Sequence, residues 1–171
     1  RGSSEKLAEK EKNFNQNGRS YPLNILKREA ANYKATFVKE NRALGELDHP
    51  ESQVVNLANA SHNVLDLWWK GDDLMGKIEI LGTPSGNIAK ELLKAGIRLG
   101  ISSRGMGSVK ELGEGKVEVQ DDFEIVCWDL VSNPSTQGAF MAERLNEGVS
   151  NTQSQHSKIN TLIGEIITVM Q

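Results

Sequence analysis

Cysteine is almost missing from this chain: Cys127 is the only one in 171 residues. No intramolecular disulfide can form, and no Cys/His metal cluster can be assembled. Such cysteine usage suits a reducing, cytoplasmic setting. No uninterrupted apolar run approaches the roughly 20 residues of a membrane span, and no secretory leader pattern is visible. Positive charge is not in excess either. Twenty Lys and Arg against 23 Asp and Glu leave a formal net charge of -3, so neither a nucleic-acid backbone nor a membrane surface meets a basic field. No Gly-Lys-Ser/Thr ending marks a phosphate loop, and Asp72-Asp73 lacks the further spaced oxygens that calcium needs. No metal and no other cofactor is expected. Histidine is scarce as well, which narrows any search for a general base to His49, His62 and His156.

The length fits one domain with loose ends. Arg1 to Lys12 is charged or small and is expected to be a mobile N-terminal segment, within which Arg1-Gly2-Ser3-Ser4 reads as a trimmed start. A domain is placed over residues 13–146, a polar linker rich in Gly, Asn, Ser and Gln over 147–158, and an apolar tail over 159–171. In that tail Ile159, Leu162, Ile163, Ile166, Ile167 and Met170 fall on one helical face. Within the domain, Ile25, Leu26, Ala30, Tyr33 and Phe37 predict a helix from Leu23 to about Lys39. Val64 to Trp69 and Leu74 to Leu81 read as antiparallel strands about a turn at Lys70 to Asp73. Thr83-Pro84 opens a helix from about Ile88 to Ala95, with Gly96 as its C-terminal cap. Val117 to Val119 and Phe123 to Val131 alternate as strands, and Ala139 to Asn146 reads as a short helix. The sum is an α+β domain of mostly antiparallel sheet, or a partly closed barrel, with flanking helices.

One stretch carries chemistry. Leu99-Gly100-Ile101-Ser102-Ser103-Arg104-Gly105-Met106-Gly107-Ser108 sets two hydroxyls and an arginine among glycines after an apolar segment, and reads as a loop displaying a nucleophile. A serine attacks a carbonyl only when a base removes its proton. His49, in Glu46-Leu47-Asp48-His49-Pro50, is held extended by the following proline and can project into a cleft. A neutral imidazole there could take the proton and return it to a leaving amine. Asp129 is the preferred carboxylate to orient it, because it lies in the apolar strand Phe123 to Val131, where a buried charge demands a partner. Asp122 and Glu124 are open alternatives. His62 reads as a structural residue and His156 as a solvated one. Trp68-Trp69 reads as packing.

Taken in order, Asn17-Gly18-Arg19-Ser20-Tyr21-Pro22, Leu44 to Pro50, Trp68-Trp69-Lys70-Gly71, Gly100 to Ser108 and the closing strand through Pro134-Ser135 resemble the prohead maturation proteases of T-even-type tailed phages. Those enzymes are related in fold and mechanism to herpesvirus assemblin. The resemblance spans most of Asn13 to Ala139. It implies a herpesvirus-protease-like fold and a serine endopeptidase with His49 as catalytic histidine. It also implies that Gly100-Ile101-Ser102 matches the Gly, aliphatic, nucleophile pattern, which favours Ser102 over Ser103. Arg104 or a backbone N–H of the same stretch would bind the oxyanion. The third member varies among relatives, so His62 stays beside Asp129 as an alternative.

Implied substrates are phage scaffold and capsid precursor proteins, cut after a glutamate two residues beyond Leu or Ile, inside the assembling prohead in the host cytoplasm. Ile163-Gly164-Glu165 fits that pattern, so self-cleavage after Glu165 is an expectation. A homo-oligomer and a regulated zymogen are implied as well. The competing reading is a catalytically inactive core scaffold protein of the same fold.

Overall fold

The computed structural model describes residues 18–133, together with the backbone of two short strands at 142–144 and 163–165. The expected N-terminal segment 1–12 and linker 147–158 lie outside the described residues. Strand β1 (Arg19–Ser20) leads through Pro22 into helix α1 (Leu23–Tyr33). The apolar stripe predicted from the sequence is the face α1 buries, with Ile25, Leu26, Ala30 and Tyr33 against the core. Its last predicted turn, Lys34–Val38, widens into a π-helical turn. Strand β2 (Leu44–Glu46) follows, then a connection that carries His49 and a single 3₁₀ turn at Leu57–Asn59.

Strands β3 (Ala60–Lys70) and β4 (Asp73–Ile80) form the expected hairpin, closed between Lys70 and Asp73. Along β4 burial alternates residue by residue, with Leu74, Ile78 and Ile80 inside. Helix α2 (Pro84–Lys94) starts earlier than predicted. The Thr83 hydroxyl accepts the Gly86 N–H at 3.0 Å and Pro84 occupies the first turn, so the capping signal outweighs the apolar pattern that begins at Ile88.

Beyond α2 lie β5 (Gly100–Met106), β6 (Val109–Gly113), β7 (Lys116–Val119) and β8 (Glu124–Val131). The serine-bearing stretch is therefore a strand and not the loop its glycines suggested. It pairs with β8 from Gly100–Val131 to Met106–Glu124, and the ladder supplies its backbone partners. Gly105 serves close packing: a Cβ there would collide with the Phe123 ring. The register shifts between Arg104 and Gly105, leaving Val126 as the extra residue on β8.

Two further expectations are corrected. Residues Ala142–Arg144, predicted helical, form β9, and Ile163–Glu165, inside the predicted helical tail, form β10. The unpaired edge of β4 offers a backbone ladder, and β-branched residues such as Ile163, Ile166 and Ile167 suit a strand at least as well as a helix. The rest of the tail lies outside the described residues.

Among the described residues the strands form three sheets, ordered β1-β7-β6, β2-β3-β4-β10-β9 and β5-β8. All pairings are antiparallel except β1 with β7. A parallel bridge from Leu47 to Leu130, and the Asp48 N–H donating to the Leu130 carbonyl at 2.8 Å, stitch the end of β2 to β8. The described strands close no barrel. Trp128, fully buried, packs its ring edge-on to Tyr33 of α1 with centroids 4.9 Å apart, which fixes the helix over β8.

Candidate active site

Asp129 is completely buried and is the centre of the site. Its Oδ2 accepts the His49 Nδ1–H at 2.8 Å and the Arg104 Nε–H at 3.0 Å. Its Oδ1 accepts the Glu46 backbone N–H at 3.0 Å, an Arg104 Nη2–H at 3.1 Å and the Cys127 S–H at 3.3 Å. Burial alone would raise the carboxyl's pKa. The bonds from His49, Glu46 and Arg104 outweigh that and hold it below the ordinary aspartate value, so it is ionised.

Each element contributes one part. Strand β8 supplies Asp129 and Cys127 from one face, two residues apart. Strand β5 supplies Arg104, opposite Cys127, and Ser102, opposite Asp129. Directly opposed residues of an antiparallel pair project to the same side, so Ser102 is on the Asp129 face. Ser103 pairs with Trp128 and is on the other. Strand β2 brings Glu46, and the chain leaving it brings His49. There Asp48 adopts a left-handed conformation with φ of 68°, a conformation a short polar side chain tolerates, and its N–H is tied to Leu130. The turn delivers His49 onto Asp129 with 42% of its side chain exposed. Because Nδ1 donates to a carboxylate, Nε2 is the acceptor nitrogen of the neutral ring. No hydrogen bond joins Ser102 to His49 among the described residues; the two share Asp129 as neighbour.

Arg104 has other work than the oxyanion contact read from the sequence. Beyond its two bonds to Asp129, Nη2 donates to Glu46 Oε2 at 2.6 Å, and Nη1 donates to the Ser52 carbonyl at 3.0 Å and the Val54 carbonyl at 3.5 Å. All five N–H groups are engaged and the side chain is 5% exposed. Glu46, which sequence reasoning did not single out as a site residue, is nearly as buried as Asp129. The signal was a carboxylate three residues before His49, on a strand beginning with Leu44.

His62 is separate from this cluster. Its Nε2–H donates to the Trp128 carbonyl and its Nδ1 accepts the Ser61 hydroxyl, both at 2.7 Å. Full burial pushes its pKa down to about 4, so the ring is neutral and fully partnered. It packs against Gly45, where a Cβ would collide with the imidazole and the Trp128 carbonyl. Asp122 caps the Ser108 N–H at 2.9 Å, away from His49, and Glu124 is an exposed residue. Glu165 pairs opposite Lys77 on β4 and Ala142 on β9. Beside the cluster lies a groove of about 440 Å³, walled by Phe37, Leu44, Val54, Leu57, Met106 and Ile125. Val54 belongs both to the groove and to the segment that Arg104 anchors.

The geometry thus joins a buried aspartate to a half-exposed histidine and sets a serine opposite that aspartate on the paired strand. Residues 5–152 match the model of the prohead core protein serine protease family, and the chain belongs to that family. It is 33% identical over 151 residues to the prohead core protein protease of Enterobacteria phage T4, covering 86% of this chain and 68% of the relative. Its fold matches the solved structure of the bacteriophage T4 capsid assembly protease gp21 with a TM-score of 0.64 and 32% identity. That match covers 68% of this chain and 72% of the other. Membership supports a protease role in capsid assembly, and no helix among the described residues is long and apolar enough to cross a membrane.

Proposed function

We propose that this chain is a serine endopeptidase that cuts scaffold and capsid precursor proteins inside the assembling prohead. Ser102 is its nucleophile, His49 its general base and acid, and Asp129 its orienting carboxylate. The observation that carries the reading is the 2.8 Å bond from His49 Nδ1 to a buried Asp129 on the face shared with Ser102. Ser102 Oγ attacks the scissile carbonyl carbon as its proton passes to His49 Nε2. Asp129 holds the ring in the reactive tautomer and stabilises the positive charge that develops on it. Collapse of the tetrahedral intermediate breaks the C–N bond, and His49 returns the proton to the leaving amine. Water, activated by the same ring, then hydrolyses the acyl-enzyme. With the Arg104 donors engaged, the oxyanion falls to a backbone N–H of the stretch from Ser103 to Gly107.

Cleavage follows a glutamate two residues beyond Leu or Ile, a preference implied by the family resemblance. The apolar walls of the neighbouring groove suit the aliphatic side chain of such a step. Self-cleavage after Glu165 belongs to the same proposal and requires β10 to leave its place between β4 and β9. The test is a peptide containing an Ile-x-Glu step, incubated with the parent protein and with His49→Ala. Cleavage after Glu by the parent alone is expected. A folded parent that cuts neither this peptide nor a prohead scaffold protein would leave the inactive scaffold reading in place.

A further inference from the structure

Glu46 and Arg104 form an ion pair that the reaction above does not use. Glu46 is 2% exposed and Arg104 5% exposed, and their contact is 2.6 Å. Burying such a pair is costly and by itself no gain in stability over apolar packing, so its arrangement points to a role. Glu46 reaches Asp129 twice, directly through its backbone N–H and indirectly through Arg104, whose Nε and Nη2 grip both carboxylate oxygens. Arg104 also pins the His49 segment from both sides, holding Glu46 before it and the carbonyls of Ser52 and Val54 after it. The second Glu46 oxygen accepts the Asn59 side-chain N–H at 3.3 Å, and Asn59 donates again to the Leu47 carbonyl at 2.9 Å.

We infer that Glu46 is a positioning residue of this site: acting through Arg104, it fixes the Asp129 carboxylate and supplies the second negative charge that His49 needs when it takes up the serine proton. The inference rests on the assignment of His49, Asp129 and Ser102 above. The charged and titratable groups gathered about the His49–Asp129 pair are Asp129 and Cys127 from β8, Arg104 from β5 and Glu46 from β2, with Tyr33 of α1 and His62 of β3 also in electrostatic reach of Asp129 and both kept neutral by burial. Burial, reinforced by the charge of Asp129, pushes the Cys127 thiol far up and keeps it neutral. Asp129 and Arg104 alone cancel, so an imidazolium beside them would leave the cluster with a net positive charge. With the Glu46–Arg104 ion pair included, the cluster starts at one negative charge and becomes neutral when the proton arrives. Because Asp129, Arg104 and Glu46 are buried, such a one-charge difference is felt at the half-exposed ring more strongly than it would be in water.

Glu46→Gln removes that charge while keeping the backbone N–H and an oxygen for Arg104. The experiment measures kcat and KM for the Ile-x-Glu peptide from roughly pH 5 to pH 9, with circular dichroism to establish the folded fraction. Glu46→Gln is expected to lower kcat about tenfold or more, leave KM within about twofold, and displace the acid limb of the kcat/KM profile by about one unit to lower pH. Glu46→Asp, which keeps the charge, is expected to retain the parental acid limb. An unshifted limb in folded Glu46→Gln overturns the inference, and so does a shifted limb in Glu46→Asp, which stands as the test if the glutamine variant does not fold. Full cleavage by His49→Ala or Ser102→Ala would instead bring down the underlying assignment.

Discussion

Ser102 and Asp129 face each other across the β5–β8 ladder, and the imidazole of His49 rests on the Asp129 side of that pair. Three segments far apart in sequence thus meet on one face of a two-stranded sheet. The antiparallel register separates the two serines: Ser102 is on the site face and Ser103 is on the face of Trp128.

Asp129→Asn is expected to keep the fold, since an amide oxygen can still accept from Arg104, but to damage the histidine. An amide N–H pointing at Nδ1 would favour the wrong tautomer. We expect kcat at neutral pH to fall on the order of 10³- to 10⁴-fold with a small change in KM. Steady-state kinetics on the Ile-x-Glu peptide checks this, and a loss of less than about tenfold would remove Asp129 from the mechanism.

His62 gives the fold a pH dependence of its own. Its folded pKa of about 4 lies below the ordinary 6.5, so between those values the unfolded chain binds a proton that the folded chain does not. The His62 contribution to stability is therefore complete above pH 6.5 and is lost as pH falls toward 4, on the order of 3 kcal/mol in all. Denaturant titrations of the parent and of His62→Gln across this range measure it. The parent is expected to lose more stability than the variant on acidification, and parallel curves would contradict the buried neutral ring.

Self-processing after Glu165 has a structural cost, because Ile163–Glu165 is paired on both sides. Intact-mass measurement during incubation is expected to show slow loss of the segment from Ile166 to Gln171, and no loss in Ser102→Ala. Mild denaturant should accelerate it if release of β10 limits the reaction. An unchanged mass while the peptide substrate is cut would exclude this site.

Parts of the candidate site are legible in the sequence and parts are not. Asp129 was legible because a charge in an otherwise apolar strand requires a partner, and His49 because a following proline keeps it out of a helix. Arg104 was legible as important, but its task was not: the same guanidinium can bind an oxyanion or a carboxylate, and only the positions of Glu46, Ser52 and Val54 decide between them. Glu46 was hidden because its partner is 58 residues away. The serine strand resembled a loop because glycines that admit the Phe123 ring look, in sequence, like glycines that permit a turn. Strand β10 was missed because its neighbours on β4 and β9 are distant in the chain, and its apolar spacing also fits a helix.

A serine-directed fluorophosphonate, with the covalent adduct located by peptide mass spectrometry on the folded protein, identifies the nucleophile. Phosphonylation of Ser102 is expected, with Ser103 unmodified and labelling lost in His49→Ala. An adduct on Ser103, or unimpaired Ser102 labelling without His49, would rule out Ser102 activated by His49 as the nucleophile.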